Sequence, residues 1–250
     1  MDVKKIIFSA TGRTEKVADI LLQGLDATAE KIDLSDRNKK FSEICLTETD
    51  ICMIAVPSYS GRVPKEAVQR ISKMKGNRAK AILVVAYGNR AYEDTLLELK
   101  ETAEKAGFVP VAAVAAIAEH SIMHQFATDR PDKKDREELL SYANLLKEKI
   151  ENPKPLKVPG KKPYRAYGNI PLKPQVKRNC NHCGKCAREC PTGAISMKDY
   201  MKLDKSLCIS CMRCVEICPR KARKLNPILL KIASYKLKKV CQTRKKNEIF

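Results

Sequence analysis

Eight cysteines fall between Asn179 and Pro219 in two copies of one pattern, C-x2-C-x2-C-x3-C-P. Cys180, Cys183, Cys186 and Cys190 precede Pro191; Cys208, Cys211, Cys214 and Cys218 precede Pro219. A short loop that presents three thiolates in this way can wrap three corners of an iron–sulfur cube, while the proline carries the fourth cysteine elsewhere. A pair of structural zinc sites is the competing reading, because CxxC pairs also bind zinc tetrahedrally. Zinc has no use for three cysteines in one tight loop, which weighs against it. Thiolates must stay reduced to hold iron, so these cysteines imply an intracellular, oxygen-poor setting and not a disulfide framework.

The rest of the chain is long enough for one ordinary domain. Its N-terminus opens on a strand pattern, VKKIIFSA, and no apolar run reaches 18 residues, so the expectation is a cytoplasmic protein. Strand Val3 to Phe8 runs into SATGRT (9–14) and then a helical pattern through Leu25. Ser9, Thr11 and Thr14 offer hydroxyls, Gly12 permits close backbone approach, and the helix start supplies oriented N–H groups. Together these suit a phosphate, although a well-capped helix start is the plainer interpretation. The loop has neither a Walker ending nor a GxGxxG dinucleotide fingerprint.

Three more apolar runs, 51–56, 81–86 and 109–116, have the continuity of parallel strands buried on both faces, and the alternating KIDL (31–34) suits an edge. Helical patterns lie between them, notably Tyr92 to Ala106 and Pro131 to Ile150. Alternating strands and helices predict a doubly wound α/β sheet.

Residues 1–150 resemble flavodoxin, on the match of SATGRT to that family's Ser/Thr-x-Thr-Gly-x-Thr phosphate motif. The resemblance implies FMN, a five-stranded parallel sheet of order 2-1-3-4-5, and a flavin outside the carboxyl ends of the first and third strands. Ser9, Thr11, Gly12, Arg13 and Thr14 would hold the phosphate. The loops PSYSGR (57–62) and YGNRAY (87–92) would flank the ring. Tyr59 would stack on one face, with Tyr87 or Tyr92 near the other, and Ser58, Gly61, Gly88, Asn89 and Arg90 would lie close by. Arg13, Arg62 and Arg90 depart from the family's acidic surroundings and would stabilise an anionic reduced flavin and raise its potential, the plainer reading being solvated arginines on a rim. Glu119, His120 and His124, in the loop after the fifth strand, could move protons or simply shield the loop. Cys45, Cys52 and Cys241 have no metal-ligand neighbours.

The cysteine repeat is similar to two-cluster ferredoxins, which implies a small α+β domain at 176–225 with crossed ligation: Cys180, Cys183, Cys186 and Cys218 on one [4Fe-4S] cluster, Cys208, Cys211, Cys214 and Cys190 on the other. One departure stands out, since Arg223 follows Pro219 where that fold keeps an apolar packing residue. Residues 151–175 hold prolines 153, 155, 159, 163, 171 and 174 and are expected to form a semi-rigid linker. From Pro227 the tail 226–250 carries a basic amphipathic helix, which could dock on the protein's own core or on a membrane surface.

As a whole the chain resembles the flavodoxin/ferredoxin fusion proteins found mainly in anaerobic bacteria and archaea. Electron transfer among the clusters, FMN and an external partner is the implied function, and a flavin-dependent reductase with the clusters as relay is the alternative. The formal charge of +20 is concentrated in residues 151–250, with 25 Lys+Arg against 6 Asp+Glu, while residues 1–150 hold 24 against 23. Such a field favours an acidic redox partner; few aromatics accompany the lysines, which disfavours nucleic acid.

Overall fold

The computed structural model describes residues 1–168 and 170–250. The apolar runs become parallel strands β1 (Asp2–Ile7), β3 (Ile51–Pro57), β4 (Lys80–Tyr87) and β5 (Val109–Ile117), with polar β2 (Thr28–Asp33) at one edge. Their order is β2-β1-β3-β4-β5, all parallel. At the far edge the C-terminal β8 (Glu248–Ile249) pairs antiparallel with β5, so the sheet has six strands and not the expected five.

Alternation along the strands divides the core into two layers. Met53, Ala55, Ile82 and Val84 pack under α1 (Arg13–Gly24), α4 (Lys133–Ser141) and α5 (Ala143–Glu151). Ile54, Val56, Leu83 and Val85 pack under α2 (Lys65–Ile71) and α3 (Thr95–Lys105). The single helix expected over 131–150 is two: the Tyr142 N–H bonds to Leu139 O at 3.3 Å, a tightened turn that breaks the i to i+4 ladder.

The proline-rich segment is strapped to α3. Asp94 accepts the backbone N–H of Lys161 at 3.1 Å and of Arg165 at 2.8 Å. Tyr164 donates to Glu101 at 2.6 Å and Tyr167 to Glu98 at 3.1 Å. These three carboxylates recur along one face of α3 and its N-cap, which fixes where the strap lies.

Beyond it, β6 (Gln175–Val176) and β7 (Arg223–Lys224) form a short antiparallel ladder, and each cysteine loop opens into a single helical turn, α6 (Lys185–Arg188) or α7 (Arg213–Glu216). The last helix, α8 (Pro227–Cys241), starts where the Asn226 side chain accepts the N–H groups of Ile228 and Leu229. Its inner residues Leu230, Ala233, Leu237 and Cys241 pack on Ile122, Met123, Phe126 and Met212. Among the described residues no helix is long and apolar enough to cross a membrane.

Candidate functional site

The two cysteine loops are conformational copies, displaced by 28 residues from Cys180 to Cys208. His182 and Ser210, Gly184 and Met212, and Gly193 and Lys221 all have positive φ, at matching positions of the two copies. Left-handed residues turn each loop inward at the same points, and a Met at φ 63° shows that the turn is imposed even without glycine.

One cage is lined by Cys180, Cys183, Cys186 and Cys218 together with Tyr200 and Arg223. In the other, Cys190, Cys208, Cys211 and Cys214 lie close enough for their charges to oppose one another, which with burial pushes the Cys211 thiol up to about 12 and the Cys214 thiol above its ordinary range. Thus each cage takes three cysteines from one loop and the fourth from the other. A cubane asks for this arrangement, with thiolates at separate corners. The donors therefore fit iron–sulfur clusters.

Arg223 is inside the first cage, 2% exposed. Its guanidinium lies 3.7 Å from Cys186 Sγ and donates to Tyr200 O, while its buried Nε–H has no partner. Burial would raise the Cys218 thiol, but the N–H groups of Ala222, Arg223 and Arg220, helped last by the Arg223 charge, bring its pKa below the ordinary value.

In the flavodoxin-like half, β1 leads through Ser9–Gly12 into α1. Gly12 has φ 78° and a side chain there would meet nothing within 4 Å, so the loop is open on its outer side. Ser9 Oγ accepts the Glu15 N–H at 3.1 Å and braces the first turn. Two arginines touch the loop: Arg13 donates to Thr11 O at 3.2 Å and Arg213, from the second cysteine loop, to Ser9 O at 3.4 Å. Each keeps a buried Nε–H without a partner. Open backbone, a helix N-terminus and the two buried, unpartnered Nε–H groups suit a phosphate, while the guanidinium ends pair with carboxylates, Arg13 with Glu119 and Glu216 and Arg213 with Glu189.

Thr11, Arg13 and Thr14 share a cleft of about 90 Å³ with Ser58, Tyr59, Tyr87, Gly88 and His120, and Ile170 and Ser210 also line it. The cleft is narrower than the roughly 300 Å³ of a small cofactor site; its lining fits a flavin ring only when Ile170 and Ser210 stand further off. Gly88 is required, because a Cβ there would lie 2.7 Å from the His120 ring. Nδ1 of His120 accepts the N–H groups of Ile122 and Met123 at 3.1 and 3.2 Å, which assigns the proton to Nε2. Burial, with His124, Arg90 and Arg13 nearby, pushes its pKa down to about 4, so the ring is neutral near pH 7. Burial alone would raise the Glu119 carboxyl, but Arg13, His124 and the Asp129 N–H hold it at about 2.

Residues 179–224 match the family model of the 4Fe-4S dicluster domain. The chain joins a flavodoxin-like domain to a 4Fe-4S dicluster domain. Over 48 residues it is 45% identical to a component of the ion-translocating oxidoreductase complex of Methanosarcina acetivorans, covering 19% of this chain and 18% of that protein. Over 57 residues it is 46% identical to the thiosulfate reductase electron transfer subunit PhsB of Salmonella typhi, covering 21% and 29%. The chain thus spans less than a third of the length of these relatives. Solved structures similar to the first half include the Streptococcus pneumonia TIGR4 flavodoxin, 20% identical over 60% of this chain and 99% of that one with a TM-score of 0.41. The Megasphaera elsdenii flavodoxin is 19% identical over 56% and 96%, with a TM-score of 0.39. Strand order, and not these alignments, establishes the flavodoxin-like fold here. Two such modules in one chain support electron transfer.

Several residues expected at the ring lie elsewhere. Asn89 is buried with its amide on Cys241 O and Thr243 O, at 2.8 and 3.0 Å. Tyr92 stands behind Tyr87, ring centroids 5.2 Å apart, and donates to Glu248. Arg90 pairs with Glu93 at 2.8 Å. Gly61 is a turn residue whose Cβ would strike the Glu93 carboxylate. Arg62 is buried and bidentate on Glu98, at 2.7 and 2.9 Å, beneath Tyr167, so its charge is neutralised and unavailable to a flavin. The residues that sequence reasoning did not place here are Ile170, Ser210 and Arg213: the cluster domain itself forms part of the cleft.

Proposed function

We propose that this protein carries electrons between two [4Fe-4S] clusters, one FMN and an external, acidic redox protein. One observation carries the reading: Tyr59 and Ser210 line the flavin cleft, and Cys211 of the second cage is buried in the same apolar cluster as Tyr59. Cys211 also contributes to the raised pKa of the Tyr59 hydroxyl, after burial itself. A flavin held beside Tyr59 and a cluster held by Cys211 would be separated by packed apolar side chains, which suits electron hand-off without water.

When bound, the clusters pass one electron at a time and the flavin exchanges one or two. The chain's own residues hold and separate these groups. Arg13, Arg213 and the hydroxyls of Thr11 and Thr14 would bind the phosphate. Tyr59, Tyr87 and Gly88 would wall the ring, and neutral His120 would keep its Nε2 proton in the cleft wall. Arg37 donates to Cys190 O at 3.3 Å and Arg70 to Pro191 O at 2.6 Å, which fastens the second cage to the flavodoxin-like half. The first cage faces outward: Cys183 is exposed, and so are the basic residues Lys177, Arg178, Lys185, Arg220 and Lys221. That rim is where an acidic partner would exchange electrons.

Anaerobic purification with iron, sulfide and flavin quantified is the direct test. About eight irons and one FMN per chain are expected, together with stepwise reduction seen by EPR and visible spectra. Zinc in place of iron, or absence of flavin, overturns the proposal.

A further inference from the structure

From Ile217 to Asn247 the sequence has no acidic residue and eleven Lys or Arg. Within this stretch α8 presents two apolar faces. The inner one is covered by the protein; the outer one is not. Ile228, Leu229, Ile232, Tyr235 and Val240 are 69, 46, 51, 81 and 51% exposed and make up half of all the exposed large apolar side chains among the described residues. Scattered exposed apolar residues need no explanation, but five on one side of one helix do. Ile228, Ile232 and Tyr235 follow the i, i+4, i+7 spacing of a single stripe. Lys231 and Lys238 flank it on one side, and Lys236 and Lys239 interleave with it four residues after Ile232 and Tyr235; all four are exposed and, among the described residues, without an acidic partner.

We propose that the outer face of α8 seats the protein on an anionic phospholipid surface. The stripe enters the acyl boundary while the lysines meet phosphate headgroups, as interfacial helices do. Tyr235 has the amphipathic ring that settles at headgroup depth. Beside it, Lys231 and Lys238 overhang a groove of about 630 Å³ floored by Phe126 and Ala127, with room for a headgroup. The rigid base that interfacial seating needs is supplied by the inner face, which rests on Met212, between Cys211 and Cys214, and on Val215, next to Cys214. This proposal goes beyond the electron-transfer reading and does not depend on the cofactors being as proposed there.

The test is co-sedimentation of the full-length protein, purified with its native cofactors, with phosphatidylcholine vesicles and with vesicles that also contain phosphatidylglycerol. Binding to the anionic vesicles is expected to be at least tenfold stronger, and to fall at least tenfold both in Ile232→Glu/Tyr235→Glu and in Lys236→Glu/Lys239→Glu. These side chains are exposed, so unchanged circular dichroism and metal content will show that the variants fold. No vesicle binding, or binding unaffected by Ile232→Glu/Tyr235→Glu, overturns the proposal. Preferential binding of soluble polyglutamate over vesicles also overturns it and reassigns the face to an acidic protein.

Discussion

Ile195 and Arg223 stand at the same step of the two cysteine copies, four residues after the prolines that follow Cys190 and Cys218, and each is 2% exposed. Ile195 does what the motif asks and fills its site with apolar surface. Arg223 fills the matching site with a charge, which lies 3.7 Å from Cys186 Sγ and has no carboxylate partner among the described residues. A buried guanidinium is costly unless something negative accompanies it, and the only negative groups gathered there are the cage thiolates. Chemically identical ligand sets therefore sit in unlike electrostatic surroundings. Arg62 offers a second contrast: it too is buried, but Glu98 cancels it.

The largest expected effect removes a cage outright. Cys186→Ser should reduce iron from about eight to about four per chain and leave the second cage loaded, whereas Cys211→Ser should cost its own cluster and also loosen the seam with Tyr59. Equal iron loss at the opposite cage in either variant would contradict crossed, separate cages. Next, Arg62→Ala breaks a buried pair and strands Glu98, so a loss of about 3–5 kcal/mol in unfolding free energy is expected by denaturant titration. Its flavin potential, at temperatures where it remains folded, should stay at the wild-type value.

Arg223→Leu separates the cages more finely. A nearby cation favours the more negative, reduced cluster, so its removal should lower the potential of the first cage by roughly 60–120 mV, the one-electron equivalent of one to two factors of ten. The second cage should move less, because Arg223 lines the first cage and lies 3.7 Å from Cys186 Sγ, although its charge also reaches Cys214. Arg223→Lys should restore part of the shift. EPR-monitored potentiometry resolves the two clusters, and equal shifts in both would erase the distinction drawn between Ile195 and Arg223. At the flavin end, Arg13→Ala should weaken FMN binding about ten- to a hundredfold, since charge-assisted hydrogen bonds contribute about 1.5–3 kcal/mol; fluorescence titration measures it.

The difference between legible and hidden features follows the range of the interactions. Cysteine spacing, the apolar runs of β3, β4 and β5, and the SATGRT loop are local patterns, and the strands and the cages follow from them. Nothing local marks Ile249 as a partner of Val114, or Asn89 as an anchor for the chain at Cys241. Position in the loop after β4 puts Tyr92, Asn89 and Arg90 at the ring, but the tail draws the first two away and Glu93 holds the third. Arg213 likewise carries no phosphate signal in sequence; it reaches Ser9 only because the domains pack together. Arg223 is visible in the sequence as a departure, but only the fold shows that it points inward.

The smallest effect concerns acid sensitivity, and it contrasts the flavodoxin-like half with the cluster half. His120 has a folded pKa of about 4 against an ordinary 6.5, so the unfolded chain binds the proton more readily. Its contribution is fully present above about pH 6.5 and declines as pH falls toward 4. Glu119, at about 2 against an ordinary 4.5, continues the loss from about pH 4.5 downward. Stability of the flavodoxin-like half should therefore fall by about 2 kcal/mol between pH 6.5 and 4, before any general acid unfolding. His120→Gln, which keeps an acceptor but cannot titrate, should flatten the slope in that window and leave the part below pH 4.5 in place. A wild-type slope in His120→Gln would mean that the acid response originates in the cluster half, where protonation of cage cysteines releases iron.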